Sequence, residues 1–413
     1  MKLNTQEKKI VGLAALGGML EFYDFIIYGI FSVYFAHQFF PSGNEMLSII
    51  ESYVVFVLGY IARPIGGIIF SHIGDEYGRK KVLIVTIILM GLASLGIGVM
   101  PTYQQIGIFA PIGLLLFRLI QGLALGGELP STYVYINESM RDKEHIGFGI
   151  TMTGVNSGLL LGMLINQLMN SLFDHAELTA YGWRIPFIIG GALCLVSYKI
   201  RRTLHETTAF EKIQNKPKFP LANLFKEHLP AMLAGILSTA IMAGLVVVAI
   251  IFMPTYLTKM MHIDSITVSK IMSVAMLINI ITIFISGYAT TKFAPKQILS
   301  KLILVSIILI PSSFIAIDNG YIAIGVITLG ILEGVAAFVI PFLLTHLFPA
   351  NVRLTGVALS YNIGFTLFGG MAPIIITSMI SSGIGLSMAP IIFCCVVLVA
   401  CFSGVTIAKK YID

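Results

Sequence analysis

Charge is what this chain has least of. Only 11% of its 413 residues are Asp, Glu, Lys or Arg, against roughly a quarter in soluble globular domains. Length alone would suit two or three soluble domains, but so few charges cannot cover their surfaces. Cysteine is scarce as well. The four thiols, Cys194, Cys394, Cys395 and Cys401, sit in apolar runs without metal-ligand spacing to His or Asp, which speaks against a disulfide scaffold and a zinc site. No G-x-x-x-x-G-K-[ST] loop occurs, so a P-loop ATP-driven pump is excluded. No nucleophile, metal cluster or catalytic loop stands at a span boundary, and neither a cofactor, a bound metal nor an enzymatic reaction is expected. The net charge of +6 is no nucleic-acid signal, because the basic residues fall in short clusters between apolar runs.

Apolar sequence is what remains. Hydrophobic residues make up 57% of the chain, and 40 glycines are spread through the runs, a habit of membrane helices. A helix needs about 20 apolar residues to cross a bilayer. The runs read as twelve spans, near 10–37, 49–73, 82–100, 107–137, 147–172, 185–204, 229–257, 267–290, 298–316, 321–346, 354–379 and 386–408. Backbone groups in lipid must be satisfied within each segment, and the runs lack the alternation of barrel strands, so the spans are helices. The first run lacks a small-residue cleavage site and reads as part of the mature protein. The expected fold is an all-α polytopic membrane protein with two six-helix bundles, residues 1–204 and 229–413, joined by a polar cytoplasmic linker, 205–228.

The basic residues take one side. One set of loops and termini carries Lys8, Lys9, Arg79, Lys80, Lys81, Lys143, Arg201, Arg202, Lys292, Lys296 and Arg353 among others, while the opposite set carries only Arg184, Lys259 and Lys270. The rich side is then cytoplasmic, with both termini on it. The turn S-H-I-G-D-E-Y-G-R-K-K (71–81) after span 2 has a counterpart, G-Y-A-T-T-K-F-A-P-K (287–296), after span 8. Aligned, Asp75 matches Thr291, Arg79 matches Pro295 and Lys80 matches Lys296. Two six-span halves with a repeated turn are the pattern of a parallel-repeat transporter.

At these motifs the chain resembles the major facilitator superfamily, whose signature after span 2 is G-x-x-x-D-R-x-G-R-R/K. Within it the chain is similar to the metabolite:proton symporters, bacterial permeases for proline/betaine, α-ketoglutarate, citrate and shikimate. The matching stretches are G-G-M-L-E-F-Y-D-F-I-I-Y-G (17–29), R-P-I-G-G-I-I-F (63–70), G-D-E-Y-G-R-K-K (74–81), R-L-I-Q-G-L-A-L-G-G-E (118–128) and W-R-I-P-F (183–187). They continue through Arg201 to Phe210, F-P-A-N-V-R-L-T-G (348–356) and S-Y-N-I-G-F-T-L-F-G-G-M-A-P (360–373). Ser71, Glu76 and Thr291 depart from the signature. The resemblance implies the major facilitator fold, an inner-membrane location, alternating access, and inner-side contacts of Asp75, Gly78, Arg79, Lys80 and Arg353 that break when the transporter opens inward.

Ionisable groups at mid-depth each cost at least about 2.5–3.5 kcal/mol on insertion scales, so each needs a reason to be there. Glu21, Asp24, Arg63, Arg118 and Glu333 all fall near the middle of their spans. Glu21, Asp24 and Tyr28 share one face of span 1 at i, i+3, i+7. Two carboxyls so close in a low dielectric cannot both ionise cheaply unless Arg63 or Arg118 pairs with them, which marks them as proton carriers or as structural ties. Arg118, followed on its face by Gln121 and Glu128, suits a solute carboxylate through its planar fork. Arg63 competes for that role, although Pro64 and the Gly-Gly after it also suit helix packing. Glu128, some 15 Å from Arg118 along the axis at about 1.5 Å per residue, is a structural or relay group. Glu333 is the mid-depth acid of the second half, with Tyr361 and Asn362 at similar depth, and Asn156 adds a polar group on span 5. His346 reads as a structural histidine.

The function expected is proton-coupled uptake of a small organic acid or zwitterion by a monomer working in the lipid bilayer, with solute and protons as its partners and no nucleic acid. An uncoupled facilitator is the alternative, and a solute sensor is another. A sensor would need a large output domain, where this chain offers only 205–228.

Overall fold

The computed structural model describes residues 3–43, 45–212 and 220–412; residues 213–219 of the expected linker lie outside the described residues, as does Lys2. No strand occurs among the described residues. The long helices are α1 (Thr5–Phe39), α2 (Glu45–Tyr77), α3 (Arg79–Val99), α4 (Phe109–Ser139), α5 (Glu144–Leu172), α6 (Arg184–Arg201), α7 (Leu229–Val246), α8 (Ser265–Ala289), α9 (Pro295–Asp318), α10 (Ile322–His346), α11 (Arg353–Gly364) and α12 (Met388–Ile412). Eleven stretches are each long and apolar enough to cross a membrane, and the pair His175–Gly182 and Arg184–Arg201 makes a twelfth if counted as one span.

The sixth span follows its expected bounds as α6, and the added segment His175–Gly182 lies before them. A π-turn over Leu178–Gly182 ends that segment just before Trp183, and it is bent by 45° from α6. Two spans expected as continuous helices carry π-turns, the seventh at Val247–Ile251 and Tyr256–Met260 and the eleventh at Phe365–Gly370. Such turns release a backbone carbonyl and are found disproportionately at functional positions.

Local signals explain the ends. Asn4 starts α1 through a capping box, its side chain accepting from the Glu7 amide at 2.8 Å while Glu7 accepts from the Asn4 amide at 2.7 Å. Gly78 alone joins α2 to α3 with φ +110°, a conformation that disfavours any side chain. In the second half that link opens to residues 290–294, yet Lys296 stands second in α9 as Lys80 stands second in α3. The aligned repeat thus keeps its register at the helix start and loses it in the turn.

The helices pack into two compact units, Met1–Tyr135 with Gly154–Lys212, and Ile136–Thr153 with Ile213–Asp413. Apolar side chains at helical spacing, such as Ile61, Ile65 and Ile69 on α2 or Leu304, Ile308 and Ile315 on α9, are exposed, as lipid-facing stripes are. Inside the first unit α5 lies close on α1. A Cβ added to Gly158 would stand 2.1 Å from the Met19 carbonyl oxygen. Gly158→Leu is expected to lower stability by about 1–3 kcal/mol or more through overpacking, read as a lower apparent Tm of the detergent-purified protein.

Candidate functional site

The mid-depth charges of the first unit do not form one cluster. Asp24 and Arg118 are both buried and do not touch; two neutral side chains bridge them. The Ser94 hydroxyl donates to Asp24 Oδ2 at 2.5 Å, Gln121 Nε2 donates to the Ser94 oxygen at 2.8 Å, and Arg118 Nη1 donates to Gln121 Oε1 at 2.7 Å. Every donor in this line points the same way, from the guanidinium on α4 through α3 to the carboxyl on α1. Networks of this kind polarise along their length in a low dielectric.

Arg118 lies against aromatic faces. Its guanidinium carbon stands 4.1 Å from the Tyr28 ring centre and 5.1 Å from that of Phe56. Those two rings are stacked at 6.0 Å, so the cation is held by π-faces and one amide oxygen rather than by a carboxylate. Asp24 Oδ1 and Arg118 Nε, at the two ends of the line, have no hydrogen-bond partner among the described residues. Tyr28, the last of the three α1 residues on this face, hydrogen-bonds with Ser52, its hydroxyl donating to the Ser52 carbonyl at 3.3 Å. Arg63 is also buried, its guanidinium 5.1 Å over the Tyr60 ring. Its backbone lies close against α4, for a Cβ on Gly126 would lie 2.0 Å from the Arg63 carbonyl oxygen.

Glu21, one turn before Asp24, has different company. It shares a crevice with Glu128, Thr86, Ile87, Met90 and Ala124, and no protein donor reaches either of its oxygens. Glu128 is fully engaged: Arg201 Nη2 pairs with Oε1 at 2.6 Å and the Thr86 hydroxyl donates to Oε2. Arg201 Nη1 also donates to the Leu83 carbonyl at 2.8 Å. Gly17 makes room for this, since a Cβ there would fall 1.4 Å from Arg201 Nη2.

In the second unit Glu333 is fully buried, and one of its oxygens accepts from the Asn279 amide, which also donates to the Gly330 carbonyl at 2.8 Å. Asn362 donates to the Ala358 carbonyl at 2.9 Å, and Tyr361 packs on Phe365 with ring centres 4.6 Å apart. Asn156, in the first unit, is buried. None of Asn156, Tyr361 and Asn362 lies on the line from Asp24 to Arg118.

On the basic side, Asp75 and Arg79 form a fully buried ion pair at 3.1 Å, and Arg79 donates to the Gly74 carbonyl at 2.7 Å. The first amides of α3 meet an acid from a distant segment: Arg79 N and Lys80 N donate to Glu206 at 3.2 and 3.1 Å. A carboxylate at a helix N-terminus is favoured by the unpaired amides and the helix dipole. A Cβ on Gly78 would lie 2.2 Å from Glu206 Oε2, so the glycine serves this contact as well as the turn. Arg353 pairs with Glu138 at 3.1 Å, and His346 meets Glu144 at 3.1 Å while stacking on Phe342. Through these contacts residues 136–153 pack as part of the second unit.

Ser94, Arg201, Glu206, Asn279 and Glu138 were not singled out as site residues from the sequence. Each is the partner of a residue that was. The only signal available was polarity inside an apolar run, as at Ser94 and Asn279, and many such residues merely bond their own helix. Among the described residues, no three His, Cys, Asp or Glu side chains gather so as to hold a metal ion.

The comparisons agree with this architecture. The model of the Major Facilitator Superfamily matches residues 14–373. The alpha-ketoglutarate permease of Escherichia coli (strain K12) is 32% identical over 382 residues, covering 91% of this chain and 87% of the permease. A glycine betaine/proline/ectoine/pipecolic acid transporter, OusA of Dickeya dadantii (strain 3937), is 28% identical over 405 residues, covering 92% and 79%. Among solved structures, the proton:xylose symporter XylE superposes with a TM-score of 0.78 at 16% identity, over 99% of this chain and 96% of that one; at that identity the likeness concerns the fold. With its spans, buried charges and matched motifs, the chain belongs to the Major Facilitator Superfamily, as a multi-pass membrane transporter of small solutes and not an enzyme.

Proposed function

We propose that this transporter is a proton-coupled symporter that takes up a small carboxylate-bearing solute, an organic acid or a zwitterion, by alternating access in the bacterial inner membrane. The observation that carries the reading is the buried line Asp24–Ser94–Gln121–Arg118. Arg118 holds a planar, permanently charged fork with an unfilled Nε donor, and a carboxylate can take it bidentately in competition with the Gln121 oxygen. Asp24 carries the proton. An anion on Arg118 and a proton on Asp24 favour each other, because each offsets charge that the other leaves unbalanced, and such coupling is reciprocal. The solutes after which the two relatives are named all bear a carboxylate, and XylE is a proton:xylose symporter.

Tyr28, Gln121 and Arg63 complete the solute side in this reading, with Asn156, Tyr361 and Asn362 as further polar contacts. Glu333 is a second proton-carrying acid, fixed by Asn279. Asp75, Gly78, Arg79, Lys80 and Arg353 belong to the inner gate, and the positive-inside rule places both termini in the cytoplasm. The test is uptake of labelled ketoglutarate, proline and glycine betaine into proteoliposomes, with and without an inward proton gradient. Gradient-stimulated uptake of at least one is expected. Uptake that ignores the gradient would make the protein an uncoupled facilitator.

A further inference from the structure

We propose that the symported proton reaches the cytoplasm through the interior of the first unit, from Glu21 by way of Glu128 and Arg201, rather than along the route taken by the solute. This rests on the proton-coupled reading above and adds a path to it.

Three cavities follow one another inside the unit. The first is the crevice between Glu21 and Glu128, with Thr86 at its side, too tight to hold a water molecule. Arg201, bound to Glu128 on that side, also lines the second cavity with Ala14, Leu83 and Leu204, which has about 10 Å³, near the room one water needs. The second shares Ile10, Tyr135 and Leu204 with the third, a cavity of about 330 Å³ whose lining includes Gln6, Lys9 and His205. One stripe of α1 borders the whole series: Glu21, Gly17, Ala14, Ile10 and Gln6 recur at intervals of four, three, four and four, which keeps them on one helical face. The line ends at the basic side of the chain.

Glu21 is suited to begin it. An ionised carboxylate there would have no protein donor to replace its lost hydration, so the group holds a proton. The charged groups facing it are Glu128 on α4, Arg201 on α6 and Arg63 on α2, and Asp24 lies one turn away on α1. Proton movement balances within this set. The Glu21 carboxyl gives its proton to the Glu128 carboxylate, and Arg201, released from Glu128, turns to the new Glu21 carboxylate beside Gly17. Glu128 then yields the proton to water in the second cavity, which delivers it through the third to the cytoplasm. Arg201 returns to Glu128, and Glu21 is reprotonated from Asp24. Arg201 thus moves as a shutter that is never without a carboxylate.

The test uses the full chain in proteoliposomes containing a pH-sensitive dye, with whichever of ketoglutarate, proline and glycine betaine the wild type carries. Solute-driven proton influx and solute counterflow are measured side by side. In Glu21→Gln, proton influx is expected to fall at least about tenfold with counterflow within about threefold of wild type, and Glu21→Asp should restore much of the influx. Ala14→Phe fills the second cavity away from Asp24 and Arg118, and should slow proton influx at least about fivefold in the same way. Should either the Gln or the Phe variant fold and keep wild-type proton influx, the path is wrong. Should the wild type itself move no protons with solute, the symport reading fails instead, and the two failures are told apart by that control.

Discussion

Asp24→Asn is expected to leave solute exchange intact and to abolish accumulation. The substitution is isosteric, and the new amide oxygen can still accept the Ser94 hydroxyl, so the Ser94–Gln121–Arg118 line keeps its direction. What goes is the one group in the line that can gain or lose a proton. One pH unit corresponds to about 1.36 kcal/mol, or roughly tenfold in equilibrium accumulation for one proton per solute. Proteoliposomes of the wild type should therefore concentrate solute roughly tenfold under that gradient, and those of Asp24→Asn should stop at about equality. Counterflow with equal pH on both sides should remain within about threefold of wild type. Full gradient-driven accumulation by the variant would remove Asp24 from the proton role and leave Glu21 or Glu333 to carry it.

Arg118→Gln should abolish binding in a way that Asp24→Asn does not. Hydrogen bonds to a charged group contribute about 1.5–3 kcal/mol, or roughly 10- to 150-fold in Kd. A bidentate contact belongs at the upper end of that range. Arg118→Lys should recover little, because a point charge on a flexible stem neither forks nor offers the planar face that the guanidinium brings close to the Tyr28 and Phe56 rings. The protein carries its own reporter. Trp183 is the single tryptophan, packed 5.0 Å from Phe35, whose ring lies 5.2 Å from that of Tyr28. Titrating solute against its fluorescence should give saturable binding in the wild type and none at the same concentrations in Arg118→Gln. Wild-type affinity in that variant would shift the solute role to Arg63.

The limits of the sequence show best at α1. Its face of Glu21, Asp24 and Tyr28 is legible from spacing alone, and so is the cost of two carboxyls one turn apart. Their separation is not. Asp24 is met by Ser94, seventy positions on, and Glu21 by the crevice of Glu128. A helical period says which residues share a face and is silent about which neighbours meet it. The two carboxyls look toward the same helices, α3, α4 and α6, but meet different side chains there one turn apart, Ser94 for Asp24 and Glu128 with Thr86 for Glu21.

The same holds on the basic side. The turn around Asp75 and Gly78 is recognisable at once, but the Glu206 carboxylate that caps α3 is 126 positions from Lys80. The membrane spans, the helical class, the mid-depth charges and the family were within reach of sequence because each depends on local composition and period. A helix in lipid must satisfy its own backbone, whatever surrounds it. Only the tertiary structure decided that Arg118 rests on aromatic faces, that Arg201 engages Glu128 across Gly17, and that residues 136–153 pack with the second unit. Those outcomes depend on how close two helices can come and which side chains then meet, and that is a property of packing rather than of any one segment.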